Sequence, residues 1–386
     1  MRAQNQLGQT VPVSEASGRS RHYVFADLLN VLACFSVVTI HVFLNVFEPE
    51  RTGTWVRSAF MHEANGYAVP VFFMLSGMNL LWYRERYSTA VFFKKRLWRV
   101  GRALLLASAL CYVLFCAFPN EFLGRQEFAG VFGLGDFLQR FLTGSINVTY
   151  WFLYTIIYLY LLTPLLSLAA GNRRLLRYLL ALTFFGAFVI PMAEHLGVGA
   201  QYFGTLTNWP LFGTFGLLYY LLGAYLAYYG RTDRVPIWVW AILFCGSVLA
   251  GTVLALWDTG WFSPQGLEHT FDDYWTSYSS PLCIVTAVSV FAAGKRLEPW
   301  LRRRPDRFRR VLRTMSAGSL GVYLLHFAVT QWCIAHEGRV TVLGWLRSNP
   351  VFNIVAIYVF CLAMSLAWRF LVERVKRLMD GVIRPR

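Results

Sequence analysis

Ten times along this sequence the residues stay apolar for about the length a helix needs to cross a bilayer, roughly 20 residues. The runs cover residues 28–47, 67–83, 103–118, 148–170, 178–196, 211–229, 236–257, 276–294, 316–336 and 350–370. The run at 103–118 is short, which a tilted or partly re-entrant segment would accommodate. In hydrocarbon every backbone N–H and C=O must find its partner within the protein, and helices do this segment by segment. The expected fold is therefore all-α: a polytopic integral membrane helical bundle of about ten transmembrane helices. Composition agrees, with 56% hydrophobic residues and a mean hydropathy of +0.46. All seven cysteines fall inside apolar runs and none forms a CxxC pair. No disulfide framework, zinc site or other metal is expected.

The net charge is +16, which in a soluble protein would suggest nucleic acid. Its distribution points elsewhere. Of the 36 Lys and Arg, all but Arg51, Arg57, Arg125, Arg140, Arg339 and Arg347 fall in the two ends of the chain or in every second loop. That is the positive-inside asymmetry, and it puts both termini in the cytoplasm. Membrane lipids with anionic headgroups are then the expected partners of the charge, and nucleic acid is not. Residues 1–26 read as a cytoplasmic tail, since the first 21 are polar and lack the apolar core of a secretory signal. Residues 27–372 read as the membrane domain and 373–386 as a basic cytoplasmic tail. The opposite loops carry His62-Glu63, Glu194-His195, Glu268-His269, Asp272-Asp273 and His336-Glu337, with Trp55, Trp209, Trp261, Tyr274 and Trp275 near the span ends. These fit an interfacial aromatic belt with solvated charges, or a wet rim that receives a polar, sugar-like substrate. No HExxH or comparable metal spacing occurs among them.

Two runs carry polar stripes. In the first, Asp27, Asn30, Cys34, His41 and Asn45 fall within about 60° of one another on a helix, and Ser36 and Thr39 can bond back to their own backbone. In the ninth, Ser316, Ser319, Tyr323, His326 and Thr330 share a face of about 80°, while Gly318 and Gly321 permit close helix approach. Lipid satisfies neither an imidazole nor a carboxamide, so both stripes must face other helices or a shared cavity. A single buried histidine suits a structural hydrogen bond equally well; two on matching stripes favour a common site. Pro70 in the second run should kink it and free a carbonyl, with Ser76-Gly77 a further weak point. After it, Lys95, Arg96 and Arg99 in FFKKRLWRVGR are either ordinary topology signals or a phosphate clamp, with Arg96 and Arg99 on one helical side. Tyr150 and Trp151 open the fourth run as interfacial anchors or substrate contacts.

These stretches, in this order, resemble the acyltransferase-3 family of multipass membrane O-acyltransferases, especially its enterobacterial-common-antigen acetyltransferase-like branch. Asp27 through His41 resembles the family's first-helix motif, VPVFFMLSG its second-helix signature and FFKKRLWRV the basic segment that follows. TYWFLYTIIYLYLLTPLL and SLGVYLLHF resemble the fourth-helix and late-helix signatures. Where the family usually has Arg, this chain has Asn30, which keeps hydrogen bonding and loses the charge. The resemblance implies a membrane O-acyltransferase, in the first instance an O-acetyltransferase of the cell membrane (the inner membrane in a bacterium). The donor would be acyl-CoA, notably acetyl-CoA, taken from the cytoplasm as a substrate and not as a tightly held cofactor. The acceptor would be a hydroxyl of a surface polysaccharide or lipid-linked glycan. In that reading His41 is the general base, His326 its site partner, and Asp27 and Asn30 belong to the same motif. Tyr323, Ser319 or Asn30 would supply oxyanion donors. Lys95, Arg96 and Arg99 would hold the CoA phosphates. The residues by themselves also admit a transporter or flippase with histidine proton relays, and a catalytically silent membrane protein; donor binding separates these from an acyltransferase.

Overall fold

The structure, a computed structural model, describes residues 22–198, 214–264, 266–267 and 271–383. The expected tail residues 1–21, Trp209, Glu268, His269 and residues 211–213 of the sixth run lie outside them. The described chain is helical throughout. In order, the helices are α1 (Val24–Val42), α2 (Gly53–Asn65), α3 (Ala68–Leu80), α4 (Thr89–Ala117), α5 (Leu134–Thr143), α6 (Trp151–Ala169) and α7 (Arg173–His195). They continue with α8 (Phe215–Tyr228), α9 (Ile237–Asp258), α10 (Pro281–Arg302), α11 (Asp306–His336), α12 (Thr341–Ser348) and α13 (Pro350–Ile383). Seven stretches are long and apolar enough to cross a bilayer: α1, α4, residues Val148–Ala169 around α6, α7, α9, α11 and α13. Their outward residues, such as Leu106 and Val113 on α4, Ile242 and Val253 on α9 and Val359 on α13, are exposed and apolar, as a lipid-facing surface requires.

Of the ten expected spans, the second, sixth and eighth are not among these seven, the eighth being α10 (Pro281–Arg302), and the third has other bounds than expected. The third does not start at residue 103: it is the 29-residue α4, and the basic segment belongs to the same helix through a π turn at Phe93–Leu97. The second and sixth correspond to the short helices α3 and α8, which pack along each other. A Cβ built on Gly77 would lie 1.8 Å from the Tyr220 carbonyl oxygen, and one on Gly223 would lie 2.2 Å from that of Met74. The two backbones therefore touch, which only glycine allows at those points. Gly77 is a packing contact, not the weak point its sequence suggested, and α3 runs unbroken to Leu80. The break comes earlier, between α2 and α3 at Gly66-Tyr67. Pro70 stands in the first turn of α3 and does free a carbonyl: the Cys283 thiol donates to the Gly66 oxygen at 3.7 Å.

Helix α1 sits at the centre, against α2, α3, α10, α11 and α13. Its leading N–H groups are capped from another helix: Val24 and Phe25 donate to the Glu298 carboxylate on α10, at 3.2 and 2.7 Å. Three residues earlier on α10, the Lys295 ammonium donates to the carbonyls of Leu226, Ala227 and Gly230 at the end of α8. One helix thus completes the start of one neighbour and the end of another, with charges of the sign each end favours. The α1 N-terminus, the α8 C-terminus and the basic segment of α10 mark one face of the bundle, the basic face. Helix α13 reaches Ile383 through most of the segment expected as a tail. It packs on α11 where Gly318 and Gly321 open space, and the Ser365 hydroxyl donates to the Gly318 oxygen at 2.8 Å.

Candidate active site

The stripes of α1 and α11 meet. The Asn30 amide donates to the Ser316 carbonyl at 2.9 Å and to its hydroxyl at 3.0 Å. The Cys34 thiol donates to the Ser319 carbonyl at 3.5 Å. The rings of His41 and His326 stand edge to face, centroids 4.9 Å apart. The three pairs are separated by 286, 285 and 285 residues. So constant an offset means the two helices run parallel, in register over the whole stripe. Asn45 is the exception. Helix α1 ends at Val42, and Asn45 lies in the turn beyond it, accepting from the Ser58 hydroxyl at 3.0 Å. Thr39 bonds back to Phe35 as expected, but Ser36 pairs instead with the Tyr67 hydroxyl at 2.8 Å.

The backbone around the histidines assigns their protons. His41 Nδ1 lies 2.8 Å from the Val37 carbonyl, which only accepts, so Nδ1 carries the hydrogen. His326 Nδ1 lies 2.7 Å from the Tyr323 carbonyl and 3.2 Å from that of Val322, and is protonated for the same reason. His326 Nε2 is then a lone-pair nitrogen, and it sits 3.4 Å from His41 Nδ1 as a second acceptor for that N–H. The remaining lone pair is on His41 Nε2. His326 is fully buried and His41 half-buried. The arrangement is a base atom on one ring, whose tautomer is set by the Val37 carbonyl, with the second ring as a further acceptor for its N–H.

Between this pair and the basic face lies a cavity of about 490 Å³. Asp27, Asn30, Arg96, Arg99, Ser319 and Tyr323 all line it, which brings six of the expected site residues together. Asp27 is paired with His22 at 3.0 Å. Among the described residues neither Arg96 nor Arg99 has an ion-pair partner. Lys95, Tyr150 and Trp151 do not line the cavity. The Lys95 ammonium stands over the Tyr87 ring at 5.0 Å. The buried Tyr150 hydroxyl donates to the Leu324 carbonyl at 2.8 Å, and the Trp151 ring packs on Tyr278. The expected oxyanion donors are engaged: Tyr323 O–H donates to the Thr149 carbonyl, Ser319 O–H to that of Met315, and Asn30 to Ser316. Arg86, Phe72, Asn79, Phe152, Ile156 and Tyr160 line the cavity without having been singled out in the sequence. The helical spacing of Phe152, Ile156 and Tyr160 was the available signal.

The rim on the opposite face is less open than its charges suggested. His62 and Glu63 are buried on α2. His62 Nε2 lies 3.2 Å from the Phe43 carbonyl, and the Glu63 carboxyl lies against Gly251 of α9. His195 pairs with Asp258 at 3.1 Å, and Trp275 Nε1 donates to the same carboxylate at 2.6 Å. With Asp272 they form a cluster whose ligand atoms lie within 4.8 Å of one another. His336 pairs with Glu121 at 2.6 Å.

No curated protein and no solved structure matches the chain. A family profile described as an acyltransferase domain, Acyl_transf_3, matches residues 23–374. That span takes in both histidine helices, the cavity and α13 up to Arg374. The chain therefore belongs to the acyltransferase-3 family, and it is a multi-pass membrane acyltransferase.

Proposed function

We propose that the protein moves an acyl group, in the first instance acetyl, from acyl-CoA to a hydroxyl of a glycan or lipid-linked sugar. The observation that carries this reading is the pairing of a tautomer-fixed His41 with a cavity whose mouth holds unpaired guanidinium groups. In the proposed reaction His41 Nε2 takes the proton of the acceptor hydroxyl as its oxygen attacks the thioester carbonyl. The tetrahedral intermediate collapses with cleavage of the C–S bond. The CoA thiolate takes back the proton from His41, leaving an ester and free CoA. His326 Nε2 accepts from His41 Nδ1–H throughout, and so steadies the transient imidazolium. It is a positioning residue in this scheme.

Arg96, Arg99 and Arg86 would grip the CoA phosphates, for which guanidinium geometry is suited. Asn30 and His41 are eleven residues apart, about 16 Å along α1. A donor gripped at the mouth must therefore span that gap with its extended arm. The double change Arg96→Ala/Arg99→Ala is expected to raise the KM for acyl-CoA more than it lowers kcat, the pattern of lost uniform binding. Steady-state kinetics of the correctly inserted variant check it; an unchanged KM returns both residues to topology signals.

On the charge asymmetry the basic face is cytoplasmic, with both termini on that side. Membrane-impermeant thiol labelling of Arg307→Cys and Asp273→Cys in intact cells is expected to reach only the second. Labelling of both, or of neither before the membrane is opened, contradicts the orientation.

A further inference from the structure

Three aromatic rings close the inner end of the cavity. Phe72, Phe152 and Tyr323 all line it, and they lie on α3, α6 and α11. Their centroids form a tight triangle: Phe72 to Phe152 is 5.7 Å, Phe152 to Tyr323 is 5.2 Å and Phe72 to Tyr323 is 6.5 Å. On the far side the His326 ring is 5.6 Å from that of Tyr323, yet neither His326 nor His41 lines the cavity. The rings therefore form a septum between the space open to the basic face and the base atom. A thioester arriving from that face meets the septum before it meets His41.

The three leaves are not held equally. Tyr323 is tied by its hydroxyl to the Thr149 carbonyl. Phe152 is backed by the Phe73 ring at 4.9 Å, and both Tyr323 and Phe152 are buried. Phe72 is half-buried, the least buried of the three, and is held by apolar packing alone. It follows that Phe72 is the leaf with least to lose by turning aside.

We propose that Phe72 is the movable leaf of this septum and sets the length of acyl chain that reaches His41. The inference rests on the acyl-CoA reading above. For the thioester carbonyl to approach Nε2 the acyl carbons must lie among these rings, with the Phe327 ring also 5.1 Å from that of His41. A two-carbon acyl group needs little more than rotation of one ring. Each further methylene must be packed against rings that are already in contact, and one methylene in an apolar pocket is worth about 10- to 200-fold in selectivity.

The test is calorimetric binding of CoA and of acetyl-, butyryl- and hexanoyl-CoA to the full-length protein in lipid nanodiscs. The unaltered protein, Phe72→Ala and Phe72→Leu are compared, and each variant's melting temperature is recorded. Expected for Phe72→Ala is a rise of about tenfold or more in the hexanoyl-to-acetyl affinity ratio, each affinity being taken relative to that of CoA on the same preparation. Phe72→Leu should fall between it and the unaltered protein, and serves alone if Phe72→Ala does not fold. Unchanged chain-length dependence with CoA binding intact overturns the septum proposal and leaves the donor reading standing. Failure of the unaltered protein to bind CoA or any acyl-CoA overturns the donor reading, and the septum proposal with it.

Discussion

Replacing His41 with Ala is expected to cut turnover by roughly a hundredfold to ten-thousandfold, the usual range for a general base. Binding of acetyl-CoA should scarcely change, because His41 does not line the cavity proposed to take the donor. Membrane insertion should also survive, since α1 keeps its Asn30 and Cys34 contacts to α11 and its cap from Glu298. The Gln variant sharpens the test. Its amide still donates and accepts hydrogen bonds but takes no proton at neutral pH, so it should be about as inactive as Ala. If Gln restores turnover, the ring at position 41 is a structural group and His326 becomes the better base. If neither histidine matters while acetyl-CoA still binds, the base lies elsewhere in a chain that remains a family member. The measurement is kcat and donor affinity on the same purified preparation.

The second large effect is structural. Gly77→Ala should cost more than the roughly 1–3 kcal/mol typical of an overpacked core. The added methyl would meet a carbonyl oxygen of α8 at 1.8 Å, and a helix backbone has no rotamer by which to step aside. The helices would have to separate along their length, and the septum residue Phe72 on α3 would move with them. Gly223→Ala should act alike, meeting the Met74 carbonyl oxygen at 2.2 Å. Gly246→Ala on α9 supplies the control, because nothing lies within 4 Å of the position its Cβ would take. Melting temperature in one detergent, with the yield of monodisperse protein, checks all three. Equal stability of Gly77→Ala and Gly246→Ala would contradict the close approach of α3 and α8.

What could be read in the sequence follows from where polarity contrasts with its surroundings. The stripes of α1 and α11 stand out against Leu and Val, and their helical period predicted the shared face on which Asn30, Cys34 and His41 meet Ser316, Ser319 and His326. Asn45 obeyed the same period but fell past the helix end, where Phe43 turns away from helical dihedrals. Arg96 and Arg99 reach the cavity while Lys95, one residue earlier, points to Tyr87. That distinction depends on how α4 is rotated, which a charge run does not encode. Tyr150 and Trp151 drew notice as polar aromatics at a span end, yet the cavity is lined by Phe152, Ile156 and Tyr160 on the same helix. An apolar wall inside an apolar helix leaves no contrast to read. The expectation of ten spans rested on run length and alternating loop charge; seven helices are long and apolar enough to cross, and two of the other three expected spans, α3 and α8, are short helices packed on each other. His62 and Glu63 looked like loop charges because nothing in the sequence shows that Gly251 makes room for a carboxyl.

The double cap on α10 has a consequence for how such a chain is made. Glu298 is synthesised 274 residues after the helix whose first amides it satisfies. His326 follows His41 by 285. For most of translation, then, the nascent α1 has an unfinished end and an imidazole, a thiol and a carboxamide without their eventual partners, in a medium that pairs none of them. A chain interrupted after α9 lacks every one of these partners. The residues proposed for catalysis thus make contacts that only the last third of the chain can complete.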